Sequence, residues 1–252
     1  MTIALRIVRR RREWRVLAIA LASLILALPS SADESSADAP LQIWFVRHAE
    51  SEINVATTAH SVADAGVSYP LTKRGMEQAS AFAEAHASTP IVAIYTSTLL
   101  RAIQTSDALA FKHRIAVSLA PEARELDPGI ALDAPDFRPL YQELKNKWLV
   151  EGDIEARHGA GESFGDLQRR FLPFVRDVMN RHAHDRGVVI IMSHGGTLGW
   201  LVPMLANNVP EDFATRHPLT NTGIIKTELK DNSLVCIEWL GITPERFETA
   251  HP

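Results

Sequence analysis

Cysteine is almost missing from this chain: Cys236 stands alone among 252 residues. No disulfide can close within one molecule, which excludes a small stapled scaffold. A long membrane-spanning run is also missing. The longest apolar stretch, Val16 to Leu28, has thirteen residues against the roughly 20 that cross a bilayer. There is no basic excess, since 26 Lys and Arg against 30 Asp and Glu give a net charge of −4, and that balance argues against nucleic acid or an anionic membrane surface as a partner. No internal repeat is visible, so a solenoid is not expected. What remains, 46% apolar and 22% charged, is the composition of an ordinary globular chain with one large core.

Residues 1–32 differ from the rest. Arg6, Arg9, Arg10, Arg11, Arg12 and Arg15 precede the Val16–Leu28 run, and Pro29-Ser30-Ser31-Ala32 follows it. This is the three-part layout of a secretory signal, with small residues at Ser30 and Ala32 where a signal peptidase reads, so cleavage is expected after Ala32. Ala37-Asp38-Ala39 is the poorer site because Pro40 would follow the cut. The alternative is an uncleaved anchor. A twin-arginine leader is disfavoured because Arg11-Arg12 lacks the usual preceding Ser or Thr. Loss of this segment removes six arginines and one glutamate, leaving 20 basic against 29 acidic side chains, net −9. An export signal without disulfides fits a periplasmic or otherwise secreted bacterial enzyme, with no membrane partner once the leader is gone.

Ser30 to Pro40 has no periodicity and reads as a disordered connector, leaving a linker at 33–40 and a domain at 41–252. Apolar runs predict strands at Ile43–Val46, Ile91–Tyr95, Ile115–Leu119 and Val188–Met192, and a closing hairpin at Gly223–Leu229 and Ser233–Leu240. Helices are predicted from an N-cap at Thr72, with Met76, Ala79, Phe82, Ala83 and His86 on one face, at Leu99–Ala110, at Pro139–Leu149, from Ser163 with a kink or break at Pro173, and at Thr197–Ala206. The Pro- and Gly-punctuated stretch 127–161 is expected to form a small cap over a site. Strands alternating with helices predict a three-layer α/β/α sandwich with a mostly parallel sheet and an antiparallel edge strand.

Four polar segments follow apolar runs: Arg47-His48-Ala49-Glu50, the stretch around Arg101, Glu125, and Ser193-His194-Gly195. A parallel sheet delivers the C-terminal ends of its strands to one edge, so the four can converge on one pocket. Arg47, Ser51 and Asn54 supply a guanidinium fork and two polar groups beside His48, which suits a tetrahedral dianion. Gly195 and Gly196 let backbone approach a ligand where a helix begins. Taken singly, each histidine reads equally well as a hydrogen-bonded core residue, and Arg101 as a solvated surface cation.

These segments resemble the histidine phosphatase superfamily, in the branch that contains cofactor-dependent phosphoglycerate mutases and related phosphatases. Arg47-His48-Ala49-Glu50-Ser51-Glu52-Ile53-Asn54 is similar to its R-H-G-E-[ST]-x-x-N signature, and Pro70-Leu71-Thr72-Lys73-Arg74-Gly75-Met76-Glu77-Gln78-Ala79 to its P-L-T-x-x-G-x-x-Q-A. Tyr95 to Thr105, Arg124-Glu125-Leu126, Gly161-Glu162-Ser163 and Ser193-His194-Gly195 follow in the family's order. The resemblance covers about residues 43 to 225. It implies that His48 is a nucleophile forming a phosphohistidine, and that Arg47, Arg101 and His194 clamp the phosphoryl oxygens, with Ser51, Asn54 and Gly195 as neutral donors. It also implies that Glu125 is the general acid and base, and that no metal or other cofactor is needed, because arginines and a protonated histidine neutralise the charge. Ala49 stands where the family has glycine, and Glu122 competes with Glu125 for the acid role.

The resemblance implies a phosphomonoesterase. A mutase-type phosphoryl transfer and a non-catalytic phospho-ligand binder are the alternatives. Partners are a small phosphorylated metabolite, a phosphopeptide or a lipid-linked phosphate. Gly161-Glu162-Ser163-Phe164-Gly165 satisfies the nucleophile-elbow pattern of serine hydrolases, but Glu155–Ala160 before it is polar rather than a strand, and Ser163 is better read as a helix N-cap with Asp166. His182 and His184, two apart on a helix, share no face for a metal.

Overall fold

Alternate residues of the central strands go to opposite faces, and each face is covered by its own helices. The computed structural model describes residues 40–55, 69–131, 134–210 and 212–247. The expected signal segment and nearly all of the linker lie outside them. In chain order come β1 (Gln42–Arg47), α1 (Glu52–Val55), α2 (Lys73–Ala85), β2 (Ile91–Thr96), α3 (Leu100–His113), β3 (Val117–Leu119) and a 3-10 turn (Pro121–Ala123). Then follow α4 (Phe137–Leu149), α5 (Phe164–Arg181), β4 (Val188–Ser193), α6 (Gly195–Leu205), α7 (Phe213–Arg216), β5 (Ile224–Lys230) and β6 (Ser233–Trp239).

The sheet runs β3-β2-β4-β1-β5-β6. β1 to β4 are mutually parallel, and β5 pairs antiparallel with both β1 and β6, so β5 alone runs against the set, one place in from the edge, while the edge strand β6 runs in the direction of β1. Ile43 and Phe45 of β1 with Val189 and Ile191 of β4 enter a core shared with α4, α5 and α6. Trp44 and Val46 with Val188, Ile190 and Met192 face Phe82 of α2 and Leu109 of α3. This is the α/β/α sandwich, and all six residues of β4 are buried between its layers.

Local signals account for most element ends. Thr72 accepts from the Gly75 N–H at 2.9 Å, and Ser163 and Asp166 form a reciprocal capping box on α5. Four details differ from the sequence reading. The buried face of α2 is Gly75, Ala79, Phe82 and Ala83, while Met76 is 56% exposed, because α2 approaches the loop after β1 through its glycine. α5 passes Pro173 as one helix; the proline is on the exposed side, where solvent meets a carbonyl deprived of its bond. β3 is shorter than expected, because Ile115 still donates to Ala110 O in the left-handed turn at Arg114 that ends α3. α6 starts two residues early, with His194 at its N-cap. Among the described residues no helix is long and apolar enough to cross a membrane.

Candidate active site

The two histidines are neighbours because of register. Arg47 of β1 pairs with Ser193 of β4, so the next residue of each parallel strand, His48 and His194, leaves the sheet at the same level. His48 N donates to Ser193 O at 3.0 Å, and the two imidazole centroids lie 5.0 Å apart. β2 flanks β4 on the other side and ends one residue before Ser97, whose Oγ lies 2.8 Å from His194 Nε2.

Hydrogen-bond accounting fixes the tautomers. His48 Nδ1 lies 2.7 Å from Ala49 O, which only accepts, so Nδ1 carries the proton. Its Nε2 keeps a lone pair, which accepts from Arg101 Nε at 3.2 Å. Ser97 Oγ accepts from Leu99 N, and the buried hydroxyl has no acceptor for its own proton among the described residues other than His194 Nε2, which places the His194 ring proton on Nδ1. Burial, then the Arg101 charge and to a lesser degree Arg47, pull His48 down to about 3 against the opposing pull of the Ala49 carbonyl. Burial followed by Arg101, His48 and the other nearby arginines also holds His194 well below its ordinary value. His194 is therefore neutral here, not the protonated histidine implied by the resemblance; a bound dianion is what would draw a proton onto it.

Arg47 and Arg101 come to the same place. Arg47 Nη1 donates to Leu219 O, and its Nε, the Arg101 Nη1 and the His194 Nδ1 are buried polar atoms without a hydrogen-bond partner among the described residues. Buried donors are normally satisfied, and three of them around a neutral imidazole match the oxygens of a tetrahedral anion. Glu125 completes the ring. Its Oε1 accepts from Thr197 N and Thr197 Oγ, each at 2.8 Å, and its Oε2 from Gly196 N at 3.0 Å, so the carboxylate sits on the N-terminus of α6. Its charge acts on both Arg47 and Arg101. Glu122, three residues earlier, instead lines a surface groove with Ser118, Pro173, Phe174 and Arg181.

Ser51 and Asn54 are present but engaged with each other. Asn54 Oδ1 accepts from Ser51 N, Ser51 Oγ and Asn221 Nδ2, so what Asn54 offers an anion is its amide nitrogen. A Cβ on Gly195 would lie 3.3 Å from Arg47 Nε, the closeness that lets the α6 backbone share the pocket. Ala49 is accommodated: it is fully buried against Leu71 and Ala79, and its N–H donates to Thr105 Oγ1.

Residues 43–240 match the model of the histidine phosphatase superfamily, branch 1. The chain belongs to that superfamily. A relative from Proteus mirabilis (strain HI4320), named "Probable phosphoglycerate mutase GpmB", is 31% identical over 202 residues, covering 79% of this chain and 90% of its own. Among solved structures, Bacillus stearothermophilus YhfR superposes with a TM-score of 0.66 at 23% identity, covering 81% of this chain and 98% of its own. Phosphoserine phosphatase from Entamoeba histolytica, in complex with 3-phosphoglyceric acid, gives 0.63 at 22% identity, covering 79% and 96%. At these identities the two structures share the fold of this superfamily member.

Several residues that hold this site have no role assigned to them from the sequence. Asn221 Nδ2 donates to His48 O at 3.1 Å across 173 positions. Thr105 joins the His48 and Arg101 segments by accepting from Ala49 N and donating to Arg101 O. Thr197, directly after the glycine pair, holds Glu125. His182, at the C-cap of α5, is held on both ring nitrogens: its Nε2 lies 2.9 Å from the Tyr95 hydroxyl and its Nδ1 2.6 Å from Asp185. Among the described residues no group of three or more His, Cys, Asp or Glu is placed to hold a metal ion.

The segment 127–161 contributes α4, whose ring face packs on this end of the molecule. Tyr141 lies 6.4 Å from Trp200 of α6, and Trp148 stacks on Phe164 at 6.2 Å. Burial, then the Glu125 charge, push the Tyr141 hydroxyl above its usual range, which ties α4 electrostatically to the carboxylate.

Two predictions arise here. The buried histidines bind fewer protons folded than unfolded below pH 6.5, so their contribution to stability is full above 6.5 and is lost as pH falls toward 3. Each should add a slope of up to about 1.4 kcal/mol per pH unit. Urea unfolding at pH 7, 6 and 5 checks this, and a flat profile between 6.5 and 5 would contradict it. Second, a Cβ on Gly196 would stand 3.0 Å from Glu125 Oε1 and 3.2 Å from Oε2. Gly196→Ala should therefore displace the carboxylate and cut kcat by about tenfold or more, with stability changed by less than about 1 kcal/mol, since alanine favours the helix. Kinetics beside a thermal melt separates the two effects; unchanged kcat would mean Glu125 need not sit where it does.

Proposed function

We propose that this chain is a phosphomonoesterase that works through a covalent phosphohistidine on His48, with Glu125 as general acid and base. The observation that carries the reading is a neutral, buried imidazole whose Nε2 lone pair accepts from Arg101 Nε, in a site where Arg47, Arg101 and His194 each keep one buried nitrogen without a partner among the described residues. In the first step Nε2 attacks phosphorus in line, the Nε2–P bond forms, the bond to the leaving oxygen breaks, and Glu125 gives that oxygen a proton. The guanidinium of Arg101 releases Nε2 and takes a phosphoryl oxygen, while Arg47 and the His194 Nδ1–H take the others. In the second step Glu125 takes a proton from water, which attacks phosphorus, releases phosphate and restores His48.

The substrate on this reading is a small phosphorylated molecule, in keeping with the 3-phosphoglyceric acid bound to the Entamoeba neighbour. The segment 127–161 acts as the cap that selects among them, through Tyr141 and the rings around it. A mutase is the second reading, favoured by the name of the Proteus relative. It would return the phosphoryl group to a second hydroxyl instead of water, after priming by a bisphosphate associated with cytosolic glycolysis. The export expected of residues 1–32 separates the chain from that cofactor and favours hydrolysis in the periplasm.

The test is incubation of the purified protein with a panel of phosphomonoesters and 3-phosphoglycerate, followed by rapid quench. Phosphate release with an acid-labile phosphoenzyme is expected. Isomerisation of 3-phosphoglycerate outpacing phosphate release would give the mutase reading. Neither release nor phosphoenzyme at pH 5 or 7 would leave a binder.

A further inference from the structure

Arg170 projects from α5, outside the residues that handle phosphate, yet its side chain is only 15% exposed. Its Nε and Nη2 meet the two oxygens of Glu162 at 2.7 and 2.8 Å. The remaining donors go to main-chain carbonyls of one short loop: Nη1 to Glu122 O at 2.6 Å and Arg124 O at 2.9 Å, and Nη2 to Glu125 O at 3.2 Å. Glu162 grips the same loop one step further on. Its Oε2 accepts from Asp127 N at 3.1 Å, and its own N–H donates to Asp127 O at 2.7 Å. Burial opposes the ionisation of Glu162, but the Arg170 hydrogen bonds and charge outweigh it and hold the carboxyl below its usual range. The carbonyl left over, Ala123 O, accepts from Ser193 Oγ at 2.7 Å. Four consecutive carbonyls of a loop without regular ladder bonds are thus all satisfied, three of them by one guanidinium.

We propose that the Arg170–Glu162 pair is the positioning device for Glu125, fixing the main chain from 122 to 127 so that the carboxylate meets the α6 N-terminus at the distance proton transfer requires. Neither residue touches the reacting atoms; both act through Glu125. The inference rests on Glu125 being the acid, as read above. A guanidinium is needed because only its planar fork serves a carboxylate on one edge and carbonyls on the other; an ammonium supplies the charge without the second edge.

A positioning role and a plain structural staple predict different kinetics. Proton donation matters most when the leaving group is poor, so misplacing the acid steepens the dependence of kcat/KM on leaving-group basicity, whereas general loosening lowers all substrates alike. The experiment measures kcat/KM for substituted phenyl phosphates, from p-nitrophenyl to phenyl, in the parent, Arg170→Lys, Arg170→Gln, Glu162→Gln and Glu125→Gln. In the Arg170 and Glu162 variants, phenyl phosphate should lose about tenfold or more while p-nitrophenyl phosphate stays within about threefold, moving toward the Glu125→Gln profile. Arg170→Lys and Glu162→Gln carry the test if Arg170→Gln does not fold. Equal losses on all substrates, or none, beside a steepened Glu125→Gln profile would overturn the positioning role. An unsteepened Glu125→Gln profile would remove the acid assignment itself, and the clamp with it.

Discussion

Replacing His48 with alanine is expected to lower phosphate release by on the order of 10⁴-fold or more and to abolish the phosphoenzyme, because no second nucleophile stands ready to divide the displacement into two steps. His194 is 5.0 Å away, centroid to centroid, but its Nε2 is tied to Ser97 and its Nδ1 carries the proton, so it presents no lone pair to phosphorus. Affinity for inorganic phosphate should move much less, within about tenfold, since Arg47, Arg101 and His194 remain. The variant also removes the acceptor of Arg101 Nε, which frees one more donor for the anion. Single-turnover quench measures the chemical step, and competitive inhibition by phosphate measures the clamp. A variant that kept a tenth of the parent rate would place the nucleophile elsewhere. A parent with phosphate affinity but no turnover to lose would be a binder.

The parts of this site visible in the sequence are those fixed by local chemistry. Apolar runs with polar ends mark β1, β2 and β4, and the strand-end rule places His48 and His194 together independently of register. Caps at Thr72 and Ser163 are legible because an N-cap is decided within four residues. The choice of Glu125 over Glu122 rests, in the sequence, on the resemblance of Arg124-Glu125-Leu126 alone. Three residues apart across a 3-10 turn, they face different surfaces, and only tertiary contacts with α6 separate them. Arg170 and Asn221 are invisible for a related reason. An arginine on the polar side of an amphipathic helix reads as solvated, and a lone loop asparagine carries no period. Their roles depend on partners about 45 and 173 positions away. The stripe of α2 failed more narrowly: Met76 and Gly75 are adjacent, and hydropathy selects the methionine while the close approach of main chain selects the glycine.

That same glycine supports the second large effect: Gly75→Ala should destabilise the fold by about 3 kcal/mol or more, lowering Tm by about 6 to 12 °C. Helix propensity alone predicts the opposite sign, since alanine is better than glycine in a helix by about 1 kcal/mol. Sterics decide the matter. A Cβ at Gly75 would fall 1.8 Å from Glu50 O and 2.8 Å from its carbonyl carbon, and a carbonyl is not a side-chain end that can rotate away. Glu50 O also accepts from Thr72 N at 3.1 Å, and Glu50 Oε1 from Thr72 Oγ1 at 2.8 Å, so relief means separating α2 from the loop that its own N-cap grips. That loop begins at His48, and Ala49 beside it is packed with no exposure. Activity should therefore fall further than the unfolded fraction explains when measured well below Tm. Lys73→Ala, at an exposed position of the same helical turn, should stay within about 0.5 kcal/mol of the parent and controls for propensity. A Gly75→Ala protein melting within about 2 °C of the parent would mean that the loop yields easily, and that Asn221 and Thr105, not α2, hold His48 in place.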